Sequence, residues 1–259
     1  MMLTLDESPD TADLTAKMPP VNDQGQLGSC TANTMCEAFE YVEGKGPSDD
    51  LFSRLDLYYA SRAYEGTPPT EDSGCVISDV VKVLNDRGVC LESVWPYDTL
   101  SFMVAPPSNA VRKKVVLSLH LPNLDTMLAC LGIQGFPFGF GFSVPQSMMS
   151  SAVAQSGILP MPADGESFVG GHAVLAVGYD KKKQIGASVG ALLVRNSWGP
   201  GWGLQGNFWM PFDYINHGLA DDAWTIRRTE LQDENPTKTP GVLGAPVPEV
   251  YVPPTKVLP

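Results

Sequence analysis

The chain has 259 residues and a net charge of −12. At ~150 residues per domain, this length predicts one large domain or two small ones with a sizeable core. The 29 acidic against 17 basic residues argue against nucleic acid, which needs a basic face to displace counterions, and against docking on anionic lipid; 43% hydrophobic and 18% charged residues argue against disorder.

Residues 1–20, MMLTLDESPDTADLTAKMPP, carry neither a basic n-region nor an apolar run of signal-peptide length. They are expected to form an N-terminal extension. A chain made as written starts in the cytoplasm, where thiols stay reduced; packaging in a virion or export by another route are the alternatives. No run reaches ~18 apolar residues, so no membrane span is expected. Five Cys leave at least one thiol unpaired.

Helical spacing of Met35, Cys36, Phe39 and Val42 predicts a helix over 29–41. Leu55, Leu57, Tyr58, Tyr59 and Ala63 predict a second over 51–64. A third is expected over 77–86, closed by Gly88 in a left-handed cap, before Trp95-Pro96-Tyr97 breaks into a loop. Residues 21–110 therefore read as a helical half. Residues 111–230 change texture. Strands are expected at 112–119, 136–144, 171–179, 190–194 and 207–210, with a short helix at 125–131. The apolar run 169–178 predicts a strand buried on both faces. Helices followed by strands make an α+β fold with a cleft between the halves.

Residues 231–259 are expected to form a Pro-rich arm: seven of the 25 residues from Asn235 onward are Pro, which excludes helix. Val242, Leu243, Val247, Val250, Tyr251, Val252, Val257 and Leu258 make the arm apolar enough to dock. This arm, or residues 1–17, is expected to cover the cleft or to engage an assembly partner.

Three segments carry chemistry. In Gln24-Gly25-Gln26-Leu27-Gly28-Ser29-Cys30, a Gly-rich loop delivers a Cys to the first turn of a helix, where backbone N–H groups and the dipole favour the thiolate. A lone Cys is more often a buried structural residue. Gly170-Gly171-His172 opens the buried strand with a polar imidazole, whereas His120 lies at a strand end and His217 in a surface turn. Arg195-Asn196-Ser197-Trp198-Gly199-Pro200-Gly201-Trp202-Gly203 offers an Asn that can orient a His ring and a Trp that can cover the bond. The same segment also reads as a Gly/Trp hairpin turn.

Together the three segments resemble the papain-like cysteine peptidases, whose His and Asn follow the nucleophile by roughly 130–150 residues. Here His172 and Asn196 stand 142 and 166 positions after Cys30. Asn196-Ser197-Trp198-Gly199, Gly201-Trp202-Gly203, Asp72-Ser73-Gly74 and Val94-Trp95-Pro96-Tyr97 also match, over about residues 18–228. The resemblance implies a helical half against an antiparallel β-barrel-like half. It implies that Cys30, His172 and Asn196 form a triad, that Gln24 lies in the oxyanion hole, and that Ser73, Gly74, Gly171 and Trp198 contact a protein or peptide substrate. Gly74 would offer its backbone to that substrate. Leu27 stands where the family usually has a disulfide-bonded Cys, and Thr31 where it has Trp, departures that resemble the bacterial and viral branch. With 29 residues before Cys30, the family's inhibitory pro-segment is expected to be absent.

Other motifs carry less. Gly201 to Gly206 fits a dinucleotide pattern, but a strand rather than a helix is expected after it. No Cys pair has zinc spacing, so neither metal nor cofactor is expected. The nine acids and three bases of 37–72 read as a solvated acidic face, or as a preference for basic peptides. Two further functions compete with the peptidase: a Cys-His amidase acting on cell-wall peptides, and an idle or auxiliary papain-fold component of a viral particle or other assembly.

Overall fold

Chain order in the computed structural model, which describes residues 8–229, begins with β1 (Thr11–Asp13). Three helices follow: α1 (Cys30–Val42), α2 (Arg54–Tyr64) and α3 (Ile77–Asp86). Then come β2 (Val115–His120), α4 (Leu124–Gly132), β3 (Phe138–Pro145), α5 (Ser151–Ser156), β4 (Phe168–Ile185), β5 (Ser188–Arg195), β6 (Asn207–Pro211), α6 (Asp213–Asn216) and β7 (Ala220–Thr229). The fold is α+β, with helices first, as expected. All strand pairs are antiparallel, in the order β2-β7-β3-β4-β5-β6, with β1 added to β4. Among the described residues this sheet of seven strands does not close, which corrects the expected barrel-like half.

The sheet lies between two cores, and β4 shows why. Ala173, Leu175 and Val177 join the core of the helical half, while Val174, Ala176 and Tyr179 join the core on the opposite face. Alternate side chains of a strand point to opposite faces, so a continuous apolar run is what a two-sided strand requires. α1 packs across β4, β7 and β3. Its approach to β3 is close: a Cβ on Gly139 would lie 2.8 Å from both Met35 Sδ and Thr34 Cγ2.

The three long helices fall close to their expected bounds. α2 starts at Arg54 because Ser53 caps it, its Oγ accepting from the Asp56 N–H at 3.1 Å. α3 spans the expected residues, and Gly88 follows its last turn with φ +78°. β2 begins only at Val115, because Arg112 is drawn into an ion cluster. There the side chain of Asp56, with no exposed surface, accepts from Arg87 at 2.5 Å, from Arg112 at 3.1 Å and from the Cys90 N–H at 3.1 Å.

Four elements went unforeseen. β1, α5 and α6 are short. β7 is a central strand whose pattern is broken by Asp222, at φ +51°. Residues 8–17 lie along the sheet. β1 pairs with Gly178–Asp180 of β4, six or more residues beyond His172, and Tyr179 Oη donates to the Pro9 carbonyl at 2.8 Å. Residues 1–7 and the Pro-rich arm lie outside the described residues.

Burial acts to raise the Asp56 pKa, but the hydrogen bonds from Arg87 and Arg112 outweigh it and hold the carboxyl below its usual range. A depressed pKa gives stability that is present above the unfolded value near ~4 and lost as pH falls through the folded one. Asp56→Ala strands two guanidiniums and is expected to cost about 3–5 kcal/mol at pH 7. Urea melts at pH 7 and pH 3 check this: the gap between wild type and variant should narrow at the lower pH.

Candidate active site

The loop before α1 is laced to the loop after β5. Asp23 and Trp198 form a β-bridge, the Gln24 N–H donates to the Ser197 carbonyl at 2.8 Å, and the Gly199 N–H donates to the Asn22 carbonyl at 3.0 Å. The side chains continue the lacing. Ser197 Oγ donates to Gln24 Oε1 at 2.5 Å, and Gln24 Nε2 donates to the Leu27 carbonyl at 2.9 Å. An amide nitrogen has two hydrogens, so Gln24 keeps one more to give. Tyr97 braces the same loop from the helical half, donating to the Gln24 carbonyl at 3.0 Å while its Oη lies 2.5 Å from Ser29 Oγ. Arg54 lies 4.0 Å over the Tyr97 ring and ion-pairs with Glu92, so the brace is itself held.

Cys30 is the first residue of α1 and is only 5% exposed. Burial pushes its thiol pKa up; hydrogen bonds from the N–H groups of Ala173, Thr31 and Cys30 itself pull it down by less. The N–H groups thus favour the thiolate as expected, but desolvation outweighs them. Ala173, the residue that follows His172, is thus one of the groups that act on the thiol.

His172 is equally buried, and its Nε2 lies 2.8 Å from Asn196 Oδ1. Asn196 Oδ1 also accepts from the Ser197 N–H at 2.9 Å, which fixes the amide. Trp198 stacks on the imidazole with centroids 5.0 Å apart, and Phe142 meets its ring at 6.0 Å. Burial pushes the His172 pKa down to about 4, with the Asn196 bond acting in the other direction. His120 instead ends β2 with its ring 5.2 Å from Trp224, and His217 follows α6; neither joins this cluster.

The wall segment differs in detail from expectation. Gly74 is buried, its N–H donates to Tyr58 Oη at 3.2 Å, and its carbonyl accepts from Ser73 Oγ at 3.0 Å. Asp72 faces the loop before α1 and accepts from the Gly28 N–H. Gly171 lies opposite Ser143 of β3, at the half-buried start of the His172 strand. The acidic stretch 37–72 is not simply a solvated face. Glu37 and Glu40 are buried in α1, where burial pushes them up to about 7 and about 8, and Asp56 is ion-paired.

The profile of the family described as "Papain family cysteine protease" matches residues 5–225. The chain belongs to the papain family of cysteine proteases. It is 40% identical over 220 residues to the uncharacterized peptidase C1-like protein L477 of Acanthamoeba polyphaga mimivirus, covering 79% of this chain and 68% of that protein. It is similar to xylellain, a cysteine protease from Xylella fastidiosa, with TM-score 0.73 and 35% identity over 86% of this chain and 87% of that one. A Carica candamarcensis cysteine protease shares the fold at 20% identity and TM-score 0.61 over 84% of this chain and 98% of that one. The chain spans 40% of cysteine protease 1 of rice, at 28% identity over 78% of this chain.

Of the residues chosen from sequence, His172, Asn196 and Gln24 are linked by hydrogen bonds through Ser197, Trp198 stacks on the imidazole, and Cys30 opens the helix that follows the Gln24 loop. Sequence reading did not assign roles to Ser197, Tyr97 or Tyr58. Ser197 and Tyr97 stood inside quoted motifs, but their partners are far along the chain. Among the described residues, no group of three or more His, Cys, Asp or Glu is placed to hold a metal, and no helix is long and apolar enough to cross a membrane.

In a Cys30→Ala protein, where no thiolate can pair with it, the imidazole is expected to stay neutral from pH 7 down to about 4. NMR titration of the His172 ring checks this; a midpoint near the ordinary ~6.5 would show that burial does not control the group.

Proposed function

We propose that the chain is a cysteine endopeptidase acting through Cys30, His172 and Asn196 and a covalent acyl-enzyme. The observation that supports this reading is the buried imidazole of His172, its Nε2 2.8 Å from Asn196 Oδ1 and its ring under Trp198, on the strand that α1, opened by the buried Cys30, packs across. With Nε2 engaged, Nδ1 is the ring nitrogen that takes the thiol proton. Burial disfavours the thiolate and the imidazolium separately; proton transfer between them forms both at once, so the pair titrates as a unit. Asn196 is neutral and fixes the ring's orientation.

The Cys30 thiolate attacks the peptide carbonyl, forming a C–S bond and an oxyanion. The Gln24 Nε2 hydrogen not bound to Leu27 and the Cys30 N–H receive that oxyanion. The C–N bond then breaks as His172 gives its proton to the leaving amine. Water attacks the thioester, His172 takes its proton, and the acid and free thiol are released. Gly171, Ser73 and Trp198 border the substrate. The Gly74 N–H is already used by Tyr58, so backbone pairing at the wall falls to the Gly74 carbonyl.

Cys30→Ala is expected to abolish casein hydrolysis, while Cys36→Ala and Cys75→Ala retain it. Gln24→Ala should lower kcat by about 10²–10³. A thiol-directed epoxide probe should label Cys30, as mass spectrometry would show. Full activity of Cys30→Ala overturns the assignment. Turnover of peptidoglycan without casein would mark an amidase. Absence of both turnover and labelling would mark an idle component of an assembly.

A further inference from the structure

We propose that the Asp72 carboxylate is a positioning residue, clamping the nucleophile loop to the cleft wall at Gly28, two residues before Cys30. The inference rests on the peptidase reading and adds to it what holds the oxyanion donors in place.

The clamp is a directed chain of hydrogen bonds. The Gly74 N–H donates to Tyr58 Oη at 3.2 Å, Tyr58 O–H donates to Asp72 Oδ1, and the Gly28 N–H donates to both Asp72 oxygens at 3.0 Å. Tyr58 has no exposed surface, and Arg62 lies 4.4 Å over its ring. Bonds to a charged acceptor are the strong ones, and a chain running in one direction polarises each member. Asp72 thereby ties α2, the wall and the loop at one point.

The loop needs such a tie. It contains Gly25, at φ +61°, and Gly28, and Gly lets the backbone wander. Ser197 and Tyr97 hold it at Gln24, its far end, and Tyr97 also meets the Ser29 side chain, but neither reaches Gly28. The five cysteines are free, so no covalent staple holds the near end. Gln24 Nε2 is bonded to the Leu27 carbonyl, so a shift of the 27–28 peptide moves the Gln24 amide and the Cys30 N–H together.

The sign of the charge supports a clamp rather than an activator. The field of Asp72 opposes the Cys30 thiolate. A group placed there to activate the thiol would be cationic. The carboxylate fits because its two oxygens share the Gly28 N–H while Oδ1 also accepts from Tyr58.

The test uses the full chain, a fluorogenic peptide and epoxide titration of active sites, so that kcat is counted per labelled Cys30. Asp72→Ala is expected to lower kcat about 10- to 100-fold with KM within about threefold, because misplacing reacting groups by an ångström costs on that order. Tyr58→Phe removes one hydroxyl and should lower kcat about 3- to 10-fold, roughly the net worth of one buried hydrogen bond. Asp72→Asn keeps one acceptor oxygen and should fall between wild type and Asp72→Ala. Alkylation by iodoacetamide needs the thiolate but no oxyanion site, and should hold steady or rise in all three. If Asp72→Ala does not fold, Tyr58→Phe decides. Unchanged kcat per labelled site in the folded variants, or alkylation falling in step with kcat, overturns the clamp. A wild-type chain that is neither labelled nor active overturns the peptidase reading itself, and the clamp with it.

Discussion

β4 runs between two cores, and a strand buried on both faces leaves little room for an imidazole. Its apolar residues divide cleanly between the two sides. His172 stands at the near end of that strand, and its bond to Asn196 makes the position tolerable. A buried polar group without a partner costs on the order of 1–3 kcal/mol, so the His–Asn pair is fixed by the same burial that builds the fold. The consequences spread outward. Asn196 must follow β5 closely, β5 must pair with β4, and the loop carrying Asn196 must then meet the loop carrying Gln24.

The second constraint is that the nucleophile loop has no structure of its own. Glycines give it the bends it needs and remove any intrinsic preference for one shape. Its geometry is imposed by neighbours on three sides: Ser197 from the β half, Tyr97 from the loop after α3, and Asp72 from the wall. Each contact ends on the loop backbone or on the Gln24 amide, and so bears on where the hydrogen-bond donors sit. With the cysteines free, the scaffold does with charge and hydrogen bonds what a cross-link does by covalency.

The site was legible in sequence where its signals are local. Cys30 opens α1, His172 opens the buried strand, and Asn196 sits in a dense Gly/Trp segment; each can be picked out within ten residues. Their supports were not legible, because the partners are remote: Ser197 and Gln24 are 173 positions apart, Tyr97 and Gln24 73, and Asp72 and Gly28 44. The same reasoning covers Gly74, whose N–H is taken by a tyrosine 16 positions earlier that reads as ordinary helix core. In the fold, α1, α3 and the buried middle of β4 announce themselves by apolar periodicity. β7 does not. It buries Ala220, Ala223, Thr225 and Ile226, small or polar residues apart from the last, around a left-handed Asp222 that interrupts the alternation.

Under the proposed mechanism, burial of both Cys30 and His172 changes what the environment is for. Desolvation alone pushes the thiol up and the imidazole down, so each neutral form is favoured in isolation. The helix N-terminus and its N–H groups offset only part of this for sulfur. A charge-separated pair is therefore favoured only if its two charges lie close enough to cancel in a low-dielectric setting, where attraction at short range is strong. Trp198 and Phe142 serve that requirement by keeping water from the imidazole. The acidic surplus of the chain works against it, since an approaching carboxylate disfavours the thiolate. Asp72, whose charge pushes the Cys30 thiol up, is tied up by a tyrosine and a backbone N–H. Bonded in this way, it still opposes the thiolate, a cost that the proposed ion pair has to offset.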